Sequence, residues 1–139
     1  MFRIRRVYDD ITPANQDAMA EVMEILREQF PLLSARDIEK LPDQLRNPLK
    51  YQFRAILFVA ERSRGKIDGF ALLFHAPLLK FCYLDYLSAA KQMTGGGIGG
   101  ALYERVREEA LDLETIGLFY ECLPDTPELS RDPAVRKIN

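Results

Sequence analysis

Alternation of apolar and polar residues predicts a chain built around five β-strands. Segments of this kind, rich in β-branched and aromatic side chains, occupy residues 2–8, 54–61, 66–75, 79–89 and 115–123. The second and third segments flank the turn Ser63-Arg64-Gly65, which favours an antiparallel hairpin. The arginines of the first segment alternate with apolar residues, which is typical of a strand with one solvated face and not of a basic arm.

The fourth predicted strand is apolar on both of its faces. Strict alternation assigns its residues to two sets, Phe81, Tyr83, Asp85 and Leu87 on one face and Cys82, Leu84, Tyr86 and Ser88 on the other. Strands that are buried on both faces lie inside a sheet and not at its edge. We therefore predict that this strand is central and that Asp85 is an isolated carboxylate among apolar neighbours.

Apolar residues at helical spacing predict two helices between the first and second strands. The first helix is capped by Thr12 and ends before Pro31. The second helix opens with a capping box formed by Ser34 and Asp37 and stops at Asn47-Pro48. The apolar stripe of the first helix is expected to pack against the sheet, because its residues recur every three or four positions.

Composition and charge narrow the classes of function. The chain has 139 residues, 47% of them hydrophobic, and a net charge of −2, which describes one domain, residues 1–139, able to bury its own core. Its 19 basic and 21 acidic residues supply no positive field for a phosphate backbone, so nucleic acid is not an expected partner. Cys82 and Cys122 lie apart in apolar segments and are predicted to be buried, reduced thiols. With no targeting signal and no apolar run that could span a bilayer, we expect a cytoplasmic protein without membrane contact.

Small residues are concentrated between the fourth strand and a predicted amphipathic helix that begins near Ile98. Five of the eight glycines lie there, Gly95, Gly96, Gly97, Gly99 and Gly100. Backbone N–H groups in such a segment can point at one spot, at the positive end of a helix dipole, which predicts an anion site. A strand, this turn, a helix and the next strand also form a crossover unit, so the fourth and fifth strands are predicted to be parallel.

Several motifs compete to explain the glycines. A P-loop is excluded, because neither Gly97 nor Gly100 is followed by Lys-Ser/Thr. The spacing Gly95-x-Gly97-x-x-Gly100 matches the dinucleotide fingerprint, but Ala90 to Thr94 separate it from the strand and few residues follow it. A tight structural turn without a ligand is a further alternative.

The same segment resembles the central motif of the GNAT superfamily of acyl-CoA N-acyltransferases. Residues 84–89, Leu-Asp-Tyr-Leu-Ser-Ala, are similar to the family's Leu-x-x-Leu-x-Val strand end, and residues 97–102, Gly-Ile-Gly-Gly-Ala-Leu, to its Gly-Ile-Gly-x-x-Leu. Thr94 stands where the family has Arg or Gln, so one pyrophosphate contact is not carried over. A shifted register, Gln92-x-x-Gly95-x-Gly97, restores the Gln but fits the residues downstream less well. The resemblance implies an α/β (α+β) fold with a mixed, mostly antiparallel sheet, parallel fourth and fifth strands around the glycine-rich loop and helix, and helices on both faces.

The resemblance also implies acetyl-CoA as cosubstrate and no metal. Pantetheine amides would pair with the main chain near Leu87 and Ala89, the pyrophosphate would lie on the N–H groups of Thr94 to Gly99, and the N–H around Leu87 would stabilise the oxyanion. The residues implied in binding acetyl-CoA are Leu87, Ser88, Ala89, Thr94, Gly95, Gly96, Gly97, Ile98, Gly99, Gly100 and Asn139.

Two acidic residues are candidates for the general base. In this family a primary amine attacks the thioester directly, so the protein must position the amine and remove its proton. Asp85 on the fourth strand and Glu121 on the fifth strand both have apolar neighbours, which should raise the pKa of an isolated carboxyl group. A structural ion pair or a solvated strand end is the alternative for each.

The end of the sequence departs from the family pattern. GNAT domains continue after the fifth strand with a helix that opens at Asn and carries a tyrosine, and then with further strands. Asn139 matches that opening residue and ends the sequence, so we expect missing C-terminal strands and an open fifth strand, covered by a continuation of the chain or by a second copy. A CoA-binding or protein-interaction module without turnover and a dinucleotide-binding fragment are the alternatives to an N-acetyltransferase.

Overall fold

A five-stranded mixed sheet organises the part of the chain that the computed structural model describes, residues 2–90 and 97–120. In chain order its elements are β1 (Phe2–Val7), α1 (Pro13–Gln29), α2 (Ala35–Arg46), β2 (Arg54–Arg62), β3 (Ile67–Ala76), β4 (Phe81–Ala89), α3 (Ile98–Asp112) and β5 (Gly117–Tyr120). The strand order follows the chain, β1 to β4 are antiparallel, and β5 is parallel to β4. The predicted fold is confirmed. The dinucleotide-binding alternative is wrong, because that fold has a mostly parallel sheet.

Local sequence signals account for the starts of the first two helices. The Thr12 Oγ1 accepts a hydrogen bond from the Asn15 N–H at 3.2 Å, and the Ser34 Oγ accepts one from the Asp37 N–H at 3.1 Å. Each bond satisfies an N–H group that a helix cannot pair internally. The predicted caps of α1 and α2 are therefore confirmed.

Six predicted strand ends are wrong. β2 ends one residue late, at Arg62, and both ends of β3 are shifted by one residue, to Ile67–Ala76. β1 stops at Val7, one residue early, and β4 begins at Phe81, because the chain turns before it and the Lys80 N–H donates to the carbonyl of Pro77. β5 begins at Gly117, two residues late, because Thr115 is bonded to the end of α3. Both its N–H and its Oγ1 donate to the carbonyl of Ala110. Residues 121–123 of the predicted fifth strand lie outside the described residues.

The sheet separates two hydrophobic cores. α1 and α2 cover one face and α3 covers the other. β2 contributes to both, with Leu57 and Val59 packed on the α1/α2 side and Ile56 and Phe58 on the α3 side. All four side chains are at most 1% exposed. A strand with two buried faces lies inside a sheet, and β2 does so between β1 and β3. Its antiparallel pairing with β3 confirms the predicted hairpin.

An ion pair lies at the start of β3, beside the end of β4. A bulge in the β2–β3 ladder adds Asp68, whose carboxylate is fully buried and lies 2.5 Å from the Arg62 Nε. The contact is an ion pair and not an aligned hydrogen bond. The carbonyl of Asp68 also accepts a hydrogen bond from the Ala90 N–H at 2.6 Å, which fixes the chain where β4 ends.

Candidate active site

β4 carries a β-bulge at Asp85. In its ladder with β3, Leu73 pairs with Leu84 and Leu72 pairs with Tyr86, so β4 has one residue more than β3 at this point. An additional residue bends a strand and shifts the phase of its side chains by one position. The bulge therefore changes which residues of β4 face each core.

The side chains of β4 follow this phase shift. Leu84 packs in the core on the α3 side, Tyr86 packs on the α1/α2 side, and Leu87 returns to the α3 side. The predicted strict alternation, which placed Leu84 with Tyr86 and Asp85 with Leu87, is wrong beyond Leu84. Because both faces of this strand are apolar, the sequence pattern gave no sign of the shift.

A cavity of about 370 Å³ lies where β4 passes the last described pair of the β4–β5 ladder, Leu84 and Tyr120. Residues from both faces of the sheet line it: Phe30 and Tyr86 come from the α1/α2 side, and Leu87 and Tyr103 from the α3 side. The cavity therefore reaches both faces. We call this cavity the opening. Two reactants can approach each other there from opposite sides of the sheet.

The first turn of α3 lies beside the end of β4. Gly97 adopts the left-handed conformation, with φ +80°, immediately before the helix, and as the N-cap residue it has no side chain that could cap the helix. The first N–H groups of a helix have no partner within it, and the helix dipole favours an anion at this end of α3. A Cβ on Gly99 would lie 3.8 Å from the Leu87 Cδ2, so the first turn and the bulged part of β4 are neighbours.

Gly69 on β3 allows this approach. A Cβ at Gly69 would lie 2.8 Å from the Ile98 Cγ2 and 2.8 Å from the carbonyl oxygen of Ser88. The absence of a side chain therefore lets α3 dock on the sheet at its first residue. Sequence reasoning missed this residue, although an isolated glycine within a strand pattern is a known sign of close backbone approach.

Comparison with known proteins supports this architecture. No protein-family model matches the sequence, and no curated protein sequence matches it. Solved structures do match. Tetrahymena GCN5 has a TM-score of 0.71 and 16% identity, over 98% of this chain and 84% of that one. The ribosomal-protein-alanine N-acetyltransferase of Brucella melitensis biovar Abortus 2308 has a TM-score of 0.64 and 19% identity, over 100% of this chain and 88% of that one.

A third similar structure is a Desulfovibrio desulfuricans protein described as an acetyltransferase of the GNAT family, with a TM-score of 0.65 and 18% identity, over 88% of this chain and 73% of that one. The chain has the GNAT fold. At these identities the comparison establishes the fold, and the chemistry must be argued from the residues of this chain.

The GNAT fold brings some of the predicted site residues together. Leu87 lines the opening, Ser88 is buried beside Gly69, and Ala89 is half-buried at the end of β4. Gly97, Ile98, Gly99 and Gly100 form the start of α3, and Ile98 is buried. Outside the described residues lie Thr94, Gly95, Gly96, Glu121 and Asn139.

Asp85, the additional residue of the bulge, is half-buried and lines the opening. It also lines a second cavity, of about 220 Å³, on the α1/α2 side of the sheet. Its surroundings are less apolar than predicted, because Asp37 lines this second cavity too. Burial, together with the negative charges of Asp85 and Asp37, raises the pKa of the Tyr86 phenol. Sequence reasoning had assigned Asp37 only to a helix cap.

A buried thiol and an imidazole lie away from the opening. Cys82 is fully buried and free, as predicted, and burial followed by the charge of Glu109 raises its pKa to about 11. His75 pairs with Cys82 across the β3–β4 ladder and is 7% exposed. Neither side chain lines the opening, so neither is a candidate for the chemistry there. Cys122 lies outside the described residues.

Within residues 2–90 and 97–120, no group of His, Cys, Asp and Glu side chains is arranged to hold a metal ion. None of the described helices is long and apolar enough to cross a membrane.

Proposed function

We propose that this protein transfers an acetyl group from acetyl-CoA to a primary amine. The observation that carries the proposal is the cavity that reaches both faces of the sheet at the bulge of β4, beside the N-terminus of α3. A thioester enters from the side of α3 and an amine from the side of α1 and α2. The transfer takes place between them, close to Asp85 and Leu87.

The end of β4 and the first turn of α3 suit the two ends of the cosubstrate. Gly97 has no side chain to cap the N–H groups that follow it, and Gly99 and Gly100 present no side chain to a phosphate. Past Leu84, β4 continues for a further five residues beyond its last described pair with β5. The main chain of this segment can pair with the pantetheine amides as an added strand would.

Two tasks remain for the protein in direct transfer from the thioester to the amine. The amine must lose a proton, and the carbonyl oxygen gains negative charge as the amine adds. We assign the first task to Asp85, because it lines both the opening and the cavity on the amine side, with Glu121 as the second candidate base. We assign the second to the main-chain N–H around Leu87. The free CoA thiolate leaves as the amide forms.

Calorimetry and a turnover assay test the proposal. Acetyl-CoA and CoA are titrated into the protein, and release of the CoA thiol is then followed with a panel of primary amines. We expect binding of both ligands and amine-dependent thiol release. Binding without thiol release for any amine supports a CoA-binding module without turnover, and absence of binding excludes both functions.

Two pairs of variants test the base. Asp85→Asn or Glu121→Gln should lower turnover about 100-fold or more while acetyl-CoA binding is retained. Their controls are Asp112→Asn and Glu108→Gln, which make the same changes at exposed positions of α3. If both test variants keep the turnover of the unmodified protein, neither carboxylate is the base.

A further inference from the structure

We propose that the acceptor is a primary amine that carries an extended aliphatic or arylalkyl group, and that the cavity between α2, β3 and the end of α1 holds this group. The inference rests on the proposed function, because it names the acceptor of that same site. This cavity, the acceptor cavity, is the space of about 220 Å³ that Asp85 also lines.

The acceptor cavity shares part of its wall with the opening. Asp85 and Tyr86 line both spaces, and the ring of Tyr86 packs edge-on against Phe30 at a centroid distance of 4.9 Å. At about 220 Å³ the acceptor cavity is smaller than a typical small-molecule site, which measures about 300 to 1,000 Å³, whereas the two spaces together fall within that range. The acceptor cavity therefore suits one part of a ligand whose reacting group lies at the opening.

Five of the eleven residues that line the acceptor cavity are polar or charged, Asp37, Lys40, Gln44, Asp85 and Tyr86, and the other six are apolar. They come from α1, from the turn before α2, from α2 and from β3, and they are Leu26, Leu33, Ile38, Leu41, Leu72 and Phe74. Such a wall stabilises a hydrocarbon group by removing it from water. A strongly polar substituent that lies against these six side chains would lose its hydration without gaining hydrogen-bond partners from them.

The charges of the acceptor cavity argue against a second cationic group on the acceptor. Asp37 and Lys40, both exposed residues of α2, lie on the same wall and have opposite charges. A second ammonium group would meet Lys40 as well as Asp37. Asp85, by contrast, lies in the wall that the acceptor cavity shares with the opening, which is the place for the one ammonium group that reacts.

A series of unbranched primary amines tests this inference. Ethylamine, butylamine, hexylamine and 2-phenylethylamine are assayed with acetyl-CoA, and kcat/KM is determined for each. Each methylene group removed from water should raise kcat/KM about fourfold until the cavity is filled. The basicity of unbranched alkylamines changes little with chain length, so the trend reports on burial of the chain.

A matched pair of variants locates the effect. Leu33→Phe enlarges a half-buried side chain on the wall and should lower kcat/KM for hexylamine at least tenfold while that for ethylamine changes less than twofold. Leu45→Phe makes the same change at a half-buried residue of α2 that does not line the acceptor cavity. It should leave the ratio of kcat/KM for hexylamine to kcat/KM for ethylamine unchanged.

The outcomes separate the two proposals. Turnover that is equal for all amines, or a Leu33→Phe variant that affects short and long amines equally, overturns the acceptor assignment and leaves acetyl transfer standing. Absence of turnover with every amine overturns the proposed function, and the acceptor assignment with it.

Discussion

Gly69→Ala should destabilise the protein, although alanine is usually the better residue in a strand. The added Cβ would lie 2.8 Å from the carbonyl oxygen of Ser88 and 3.2 Å from the Cα of Ala89, both of them main-chain atoms of the paired strand. Overpacking of this kind costs about 1 to 3 kcal/mol. Replacing glycine regains about 0.5 to 1 kcal/mol of backbone entropy, so we expect a net loss of about 1 to 2 kcal/mol.

Gly100→Ala is the matched control. A Cβ at Gly100 would meet nothing within 4 Å, and the residue lies in the first turn of α3. The same chemical change should therefore stabilise the protein by up to about 1 kcal/mol. Urea unfolding measures both variants. With a slope of about 1 to 2 kcal/mol per molar urea, the midpoint of Gly69→Ala should fall by about 1 M.

An unfolding midpoint of Gly69→Ala at or above that of the unmodified protein would refute this reasoning, since the contact between Ile98 and the sheet would then not depend on the missing side chain. Acetyl-CoA binding gives a second measurement. Displacement of the first turn of α3 from β4 should weaken binding by Gly69→Ala more than its loss of stability alone would, because the folded protein itself is altered at the site.

Two further predictions concern buried titratable groups. Burial, followed by the charge of Arg54, lowers the pKa of His75 from 6.5, with Glu109 acting in the opposite direction. As the pH falls, His75 is protonated in the unfolded chain before it is protonated in the folded protein, so the free energy of unfolding should decrease from about pH 6.5 downwards. Urea titrations at about pH 7.5 and about pH 5.5 measure this decrease, and His75→Gln should remove it. Arg62→Met leaves the buried Asp68 carboxylate without its cation and should cost about 2 to 3 kcal/mol, less than a fully buried pair because Arg62 is 39% exposed. Adding Asp68→Asn should restore most of that loss, and a double variant as unstable as Arg62→Met would contradict this account.

The elements that the sequence predicted well are those with local causes. Thr12 and Ser34 cap their helices by hydrogen bonds within three residues, and the turn Ser63-Arg64-Gly65 joins two neighbouring strands. These signals depend on a few adjacent residues and not on the packing of the rest of the chain. The starts of β4 and β5 were predicted less well, because Lys80 and Thr115 are held by hydrogen bonds whose partners the apolar pattern does not reveal.

The candidate site was predicted only in part, because its shape depends on an irregularity of the sheet. Alternation identifies the buried face of a strand when the other face is polar, but Cys82, Leu84, Tyr86 and Leu87 are apolar or aromatic in either phase. A phase shift at Asp85 therefore left no trace in the pattern. The aromatic lining of the opening was equally hidden, since Phe30 follows α1 and Tyr103 lies in α3, on opposite faces of the sheet.

The bulge at Asp85 and the glycine at position 69 both contribute to the contact between the first turn of α3 and the end of β4. The bulge turns Leu87 towards α3, and Gly69 allows Ile98 to reach the sheet, so the first turn of α3 lies against the end of β4. Each feature interrupts a regular strand, since a bulge breaks the ladder and glycine is a poor strand former. Departures of this kind from local preference are expected where a fold builds a functional site. Their convergence on one opening, next to the start of α3, is the physical reason to place the chemistry there and not at the buried Cys82 and His75.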